Sequence, residues 1–108
     1  MKHSLYKKLV RDGIPEKIRK NGEMPKIRVL GKKEYQQELK KKLAEEVGEV
    51  VKAKTRDDLV SELADIQEVL TAMYDAFDIE CGDVTKTAQK KRKKHGGFAK
   101  RIYLEGVK

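Results

Sequence analysis

Two acidic pairs are arranged symmetrically about the middle of the chain. Glu46 and Glu49 form the first pair, Glu62 and Asp65 form the second, and together they are centred between positions 55 and 56. Within each pair the i,i+3 spacing places both side chains on one helix face. If the chain turns there into two antiparallel helices, Glu49 comes level with Glu62 and Glu46 with Asp65. Because four converging carboxylates repel one another unless a cation lies among them, the pattern predicts a divalent-metal site for Mg²⁺ or Mn²⁺.

The apolar pattern of both segments favours this interpretation. On a helical wheel Glu46 falls about 20° from Leu39, inside the apolar arc of the first segment, and Glu49 lies at its edge. On the second segment, Glu62 falls between apolar residues and Asp65 beside alanines. Acidic i,i+3 pairs are common on solvated Lys- and Glu-rich helices. A carboxylate on a core-facing stripe instead requires a cation or becomes protonated, and two helices share this feature at mirrored positions.

Helix signals predict an all-α domain over residues 1–108, with an antiparallel helical hairpin, a third helix and a metal site like that of a four-helix bundle. Pro15 suits the first turn of a short helix, and Asn21-Gly22 suits its end. The predicted helical segments are the short helix within residues 5–22, then about 32–54, about 57–77 and about 83–94. Residues 26–30 and 98–104 are predicted to be extended or irregular, with an expectation that they pair into a small ribbon.

Composition favours a small protein that associates with itself. A chain of 108 residues with 41% charged residues and no Trp has a modest core. Two wide apolar stripes on so short a chain predict a homo-oligomer, with a twofold dimer as the default. The single Cys81 cannot form an internal disulfide, and no apolar stretch is long enough to span a membrane, so a cytoplasmic location is predicted.

A second charged feature lies near the C-terminus. Eight Lys and Arg residues occur between positions 86 and 101, a stretch without acids, in a chain of net charge +8. Metal ligands beside basic residues are what a triphosphate substrate requires, although a charge run is often only a solvated face. Nucleic acid is a competing partner, but Phe98 and Tyr103 are too few for a stacking platform. The candidate phosphate-binding residues are Lys90, Lys91, Lys94, Lys100 and Arg101.

The acidic residues also resemble a known motif. Glu45-Glu46-x-x-Glu49, a twelve-residue spacer and Glu62-x-x-Asp65 resemble the signature of the MazG-like all-α nucleoside triphosphate pyrophosphohydrolases, a superfamily that includes phosphoribosyl-ATP pyrophosphohydrolases. The stretch 8–12 with Ile14-Pro15 resembles the opening of a small MazG-related subgroup, and the stretches 96–98 and 100–102 resemble its closing segment. His95 is a departure, because that subgroup has Arg before the double glycine.

This resemblance implies an enzyme that hydrolyses a nucleoside triphosphate (NTP or dNTP) to the monophosphate and pyrophosphate, in a house-cleaning role. It implies Mg²⁺ held by Glu46, Glu49, Glu62 and Asp65, within a dimer or tetramer. Replacing Glu49 or Glu62 by Gln is then expected to abolish turnover. Glu45 lies about 100° around the helix from Glu46 and is a poorer ligand, suited to orienting water or to pairing with a neighbouring Lys.

Two alternatives remain open at this stage. One is phosphoribosyl-ATP hydrolysis in histidine biosynthesis, which the opening stretch 8–12 disfavours through its resemblance to the MazG-related subgroup. The other is a basic helical module without enzymatic activity that binds nucleic acid or a protein. That module would show salt-sensitive binding and no pyrophosphate release.

Overall fold

The structure is a computed structural model that describes residues 7–108. In that range the chain forms helices and no strand: α1 (Ile14–Lys20), α2 (Lys32–Lys52), α3 (Arg56–Ala76) and α4 (Cys81–His95). The all-α prediction is confirmed. The part of the chain before Lys7, including the start of the predicted loop at Leu5, lies outside the described residues. Within residues 7–108, no helix combines the length and the hydropathy that a membrane crossing requires.

Helices α2 and α3 form the predicted antiparallel hairpin. The backbone leaves the helical conformation at Ala53, and the Thr55 side chain accepts a hydrogen bond of 3.1 Å from the Asp58 N–H, which caps the start of α3. The connection is therefore centred on Lys54. The predicted boundaries differ by one or two residues, since α2 was expected to continue to about position 54 and α3 to begin at about position 57.

The short helix α1 ends as its sequence predicts. Pro15 lies in its first turn, and Gly22 adopts a positive φ of 83° just after the C-cap. The Glu23 N–H donates to the Ile18 carbonyl at 3.1 Å, and the Gly22 N–H donates to the Arg19 carbonyl at 2.9 Å, which is the Schellman arrangement. A residue with a side chain is strained at this φ, so glycine suits position 22.

The two segments predicted to be extended do not pair. Residues 26–30 and 98–104 contain no strand, so the expected ribbon is wrong. The physical reason for the first segment is visible at Arg28, whose guanidinium donates two hydrogen bonds, of 2.6 and 2.9 Å, to the carboxylate of Glu34 in the first turn of α2. This bidentate pair connects the segment to the first turn of α2. The second segment begins with a turn in which the Arg101 N–H donates to the Phe98 carbonyl at 3.0 Å.

The core lies between α2 and α3 and is small. Its buried apolar side chains are Leu39, Val69 and Ala76. Around them pack half-buried side chains of both helices, together with Leu9 from the segment before α1. At one end of the hairpin, the Gln36 side-chain amide donates to the Ala76 carbonyl at 2.7 Å, which satisfies a helix-end acceptor. Leu9 fixes the N-terminal segment (residues 7–13) against the hairpin.

Helix α4 and the residues after it project away from the hairpin. Every residue from position 78 to 108 is exposed. The radius of gyration of 18.2 Å exceeds the roughly 13 Å of a compact domain of this size. Helix α4 spans Cys81–His95, beginning two residues earlier and ending one residue later than predicted. The tail exposes large apolar side chains, including Phe98 at 98%.

Candidate metal centre

Three of the predicted metal ligands meet between α2 and α3. Glu46 of α2 is buried, with only 8% of its surface exposed, whereas Glu62 and Asp65 of α3 are half-buried. Each supplies one carboxylate oxygen, and these oxygens all lie within 4.8 Å of one another. We call these three residues the carboxylate cluster. The prediction that Glu46 faces the core is confirmed.

The position of the hairpin connection explains why Glu46 and Glu62 meet. In an antiparallel hairpin, residues equally far from the centre of the connection lie at about the same level. Counting from Lys54 places Glu46 level with Glu62, whereas Glu49 is level with Leu59. Because the connection is not centred between positions 55 and 56, the expected levels of Glu46 with Asp65 and of Glu49 with Glu62 are shifted. Glu49 is exposed at the rim, outside the carboxylate cluster.

The electrostatics of the cluster favour a cation. Partial burial raises the pKa of Glu62, and the negative charges of Asp65, Glu46 and Glu49 raise it further, with a smaller contribution from Asp58. Glu49 is thus close enough to act on Glu62 although it stands at the rim. Mutual repulsion among hard oxygen donors is relieved by a divalent ion, and such donors suit Mg²⁺ and Mn²⁺. The donor set therefore fits the metal that the sequence predicts.

Basic side chains also contact the carboxylate cluster. Arg11 Nη2 donates to Asp65 Oδ1 at 2.7 Å, and the Lys42 ammonium lies 3.6 Å from Glu46 Oε1. Sequence reasoning assigned no site role to Arg11 or to Lys8, which lies nearby. The available signal was the stretch 8–12, which stood out only through its resemblance to a family motif. Because the Arg11–Asp65 contact joins residues 54 positions apart, local patterns do not reveal it.

Glu45 behaves as the predicted salt-bridge partner. Lys42 lies 3.4 Å from Glu45 Oε2, and Lys8 donates to Glu45 Oε1 at 2.9 Å. Partial burial opposes ionisation of Glu45, but the hydrogen bond from Lys8 and the charge of Lys42 outweigh it, so the pKa of Glu45 is lowered. Two ammonium groups therefore hold Glu45 as a carboxylate beside the cluster.

The predicted phosphate-binding residues lie elsewhere. All are exposed on α4 or in the segment after it, and within residues 7–108 no hydrogen bond or ion pair connects them to the carboxylate cluster. They are Lys90, Lys91, Lys94, Lys100 and Arg101. The single chain thus brings together three predicted metal ligands but leaves the basic residues of α4 apart from them.

Comparisons with known proteins agree with this geometry. The family model described as phosphoribosyl-ATP pyrophosphohydrolase matches residues 11–92, a range that includes the carboxylate cluster and most of α4. An uncharacterized protein of Mycolicibacterium smegmatis is 55% identical over 49 residues, which are 45% of this chain and 50% of that protein. The chain therefore spans about half the length of the curated relative it matches. No solved structure matches the chain.

Proposed function

The chain belongs to the phosphoribosyl-ATP pyrophosphohydrolase family, and we propose that it hydrolyses a nucleoside triphosphate to the monophosphate and pyrophosphate with the help of a divalent ion. The observation that carries this proposal is the carboxylate cluster, in which a buried Glu46 meets Glu62 and Asp65 within 4.8 Å. A carboxylate seldom stays buried without a cation, and Lys42, the cation 3.6 Å from Glu46, is shared with Glu45. Family membership supports cleavage of a phosphoric anhydride, and we propose that the substrate is a nucleoside triphosphate.

We propose Glu46, Glu49, Glu62 and Asp65 as the ligands of Mg²⁺ or Mn²⁺. Three of these already meet, and Glu49 lies one turn from Glu46 on the same helix, close enough to raise the pKa of Glu62. A bound ion would neutralise charge on the phosphate oxygens and lower the pKa of a coordinated water. Burial of Glu46 fixes the position of one carboxylate, whereas the exposed Glu49 is free to turn towards the site.

The substrate class is proposed from the N-terminal segment and the charge layout. Residues 8–12 resemble the opening of the MazG-related subgroup, which favours ordinary NTPs or dNTPs and a house-cleaning role. Phosphoribosyl-ATP is the second candidate because the matching family model describes that activity. Both substrates carry a triphosphate, so the carboxylate cluster serves either one.

The test of this function is pyrophosphate release from a panel of NTPs, dNTPs and phosphoribosyl-ATP, with Mg²⁺ or with EDTA. We expect metal-dependent release of pyrophosphate and monophosphate, fastest with an NTP or dNTP. Faster turnover of phosphoribosyl-ATP would move the assignment to histidine biosynthesis. If all substrates are inert and nucleic acid binds with strong salt dependence, the chain is the basic binding module instead.

We further propose that the protein is a homo-oligomer in which a second copy of this chain packs against α3. The face of α3 lined by Val60, Leu63, Ile66 and Leu70 forms an open apolar groove. Within residues 7–108 three apolar side chains are buried, which is a small core for a chain of this length. The hairpin carries the carboxylate cluster, whereas α4 is basic from Lys86 onward. Two hairpins packed through this groove would form a four-helix bundle and allow α4 of one copy to approach the carboxylate cluster of the other.

Replacing Val60 by Glu is expected to dissociate this assembly. The side chain is 52% exposed in the groove, where a buried charge would be costly between two copies. Light scattering should give the variant a mass near the 12.4 kDa of one chain and the native protein at least twice that mass. Ser61→Glu adds the same charge at the neighbouring exposed position outside the groove and should leave the mass unchanged. A native protein with the mass of one chain would contradict the proposal.

The location is proposed from the cysteine content. Cys81 is the only cysteine of the sequence and is exposed in the structure. A free, accessible thiol suits a reducing compartment, and we propose the cytoplasm.

A further inference from the structure

The N-terminal segment brings a guanidinium to a proposed metal ligand. Arg11 Nη2 donates to Asp65 Oδ1 at 2.7 Å, and the Arg11 side chain is 55% exposed. The segment is fixed by Leu9, which packs against the core, so the fold and not a helical neighbour places this pair. The guanidinium therefore stands at the solvent side of the site, where a ligand can reach it.

The contact leaves Arg11 with unused capacity. Within residues 7–108 its hydrogen-bond partner is one oxygen of Asp65, whereas a guanidinium has five N–H donors in a planar fork. A fork of this kind matches phosphate oxygens in a bidentate manner. In contrast, Lys42 is largely buried alongside Glu45 and Glu46, which restricts it to those two carboxylates. Arg11 is thus the better placed of the two cations to meet an incoming anion.

Arg11 and a metal ion also compete for the same carboxylate. An ion coordinated by Asp65 withdraws negative charge from the oxygen that Arg11 contacts, so the ion and the guanidinium weaken each other's binding. Oxygens of the three carboxylates lie within 4.8 Å of one another, and Arg11 contacts the carboxylate of Asp65 alone. The metal-free arrangement is therefore only partly neutralised by Arg11.

We propose that Arg11 is a displaceable counter-ion that pairs with Asp65 in the metal-free protein and binds a phosphate of the substrate once metal occupies the carboxylate cluster. This inference rests on the proposed function, since it requires a metal-bound triphosphate. Arg11 would thereby supply a phosphate-binding group beside the proposed metal ligands. No bond is made or broken by Arg11, and its proton remains on the guanidinium throughout.

The first test measures metal binding without nucleotide. Mn²⁺ affinity is measured by electron paramagnetic resonance for the native protein, Arg11→Gln and Arg19→Gln. Arg19 is an exposed arginine of α1 that pairs with Glu16 at 3.4 Å, so its replacement removes the same charge away from the cluster. We expect Mn²⁺ to bind Arg11→Gln about two- to fivefold more tightly than the native protein, because the variant lacks an exposed ion pair that competes with the metal. Mn²⁺ should bind Arg19→Gln with the native affinity.

The second test measures nucleotide binding in the presence of Mg²⁺. The probe is an α,β-methylene triphosphate that cannot release pyrophosphate, titrated by calorimetry. Loss of a charge-assisted phosphate contact should weaken its binding to Arg11→Gln about tenfold or more, and Arg11→Lys should recover part of the loss. An arginine that only fastens the N-terminal segment would instead lower the Tm and leave both affinities unchanged.

The outcomes separate this inference from the proposed function. If the native protein hydrolyses nucleotides while Arg11→Gln keeps native Mn²⁺ and analogue affinities, the role of Arg11 is overturned and the function stands. If Mn²⁺ binding tightens but analogue binding does not weaken, the transfer to phosphate is overturned. A native protein that binds neither Mn²⁺ nor the analogue overturns both proposals.

Discussion

Replacing Glu62 by Gln is expected to lower metal-dependent pyrophosphate release more than about 100-fold. Residues behind metal ligands already contribute ten- to hundredfold, and Glu62 is a proposed ligand whose oxygen lies within 4.8 Å of those of Glu46 and Asp65. Gln has the same shape but no charge, so the α2–α3 hairpin should remain folded. The measurement is pyrophosphate release at saturating Mg²⁺, with circular dichroism to verify the helix content.

The matched control is Glu68→Gln. Glu68 lies on the same helix, is exposed and stands outside the carboxylate cluster, so the identical change there should leave activity unaltered. Glu49→Gln provides a further comparison, because Glu49 is proposed as the fourth ligand although it stands at the rim. We expect it to be inactive as well. Retained activity in both Glu49→Gln and Glu62→Gln would refute the metal assignment.

The free energy of unfolding of Glu62→Gln should also differ from that of the native protein, in a direction that depends on metal. In EDTA and at neutral pH, Glu62→Gln is expected to be more stable than the native protein, because it removes one of several repelling carboxylates. Added Mg²⁺ should reverse the order. An ion at 100 times its Kd stabilises a protein that binds it by about 2.7 kcal/mol, which the variant should largely lose. This result would show that Glu62 destabilises the metal-free fold while serving the site.

The pH dependence of this effect has a definite sign. Partial burial and the charges of Asp65, Glu46 and Glu49 raise the pKa of Glu62 above its ordinary value of 4.5. Between the unfolded and folded pKa values, the folded state holds more protons than the unfolded state. Stability in EDTA therefore falls as pH rises through this window.

Urea denaturation of both proteins in EDTA, across a pH series, measures this difference. The advantage of Glu62→Gln should be largest at neutral pH and should disappear at pH values below 4.5, where Glu62 is protonated in both states. Glu68→Gln should follow the native curve. A native protein that is as stable as Glu62→Gln at every pH in EDTA would show that the carboxylates do not repel.

Structural features that depend on residues near one another in the sequence were predicted correctly. The helical wheel correctly placed Glu46 towards the core, since burial on a helix follows from the apolar period. Pro15 and Gly22 correctly marked the limits of α1, because proline fixes φ and glycine tolerates the positive φ of a helix end. The salt bridge of Glu45 with Lys42 likewise follows from one helical turn.

Features that depend on distant residues were not predictable in the same way. The hairpin connection is centred on Lys54, so Glu46 and not Glu49 is level with Glu62, and helix ends are the least certain part of a sequence pattern. The contact of Arg11 with Asp65 depends on how Leu9 packs against the hairpin. The projection of α4 was missed because its basic residues give no apolar stripe that would fix its direction.

The anomalous scattering of Mn²⁺ in crystals grown with an α,β-methylene nucleoside triphosphate tests the proposed metal site directly. We predict an anomalous peak among the carboxylates of Glu46, Glu62 and Asp65, with Glu49 turned towards it and phosphate oxygens alongside. Bound nucleotide with no peak at these carboxylates, or with the ion held elsewhere on the chain, would contradict this prediction.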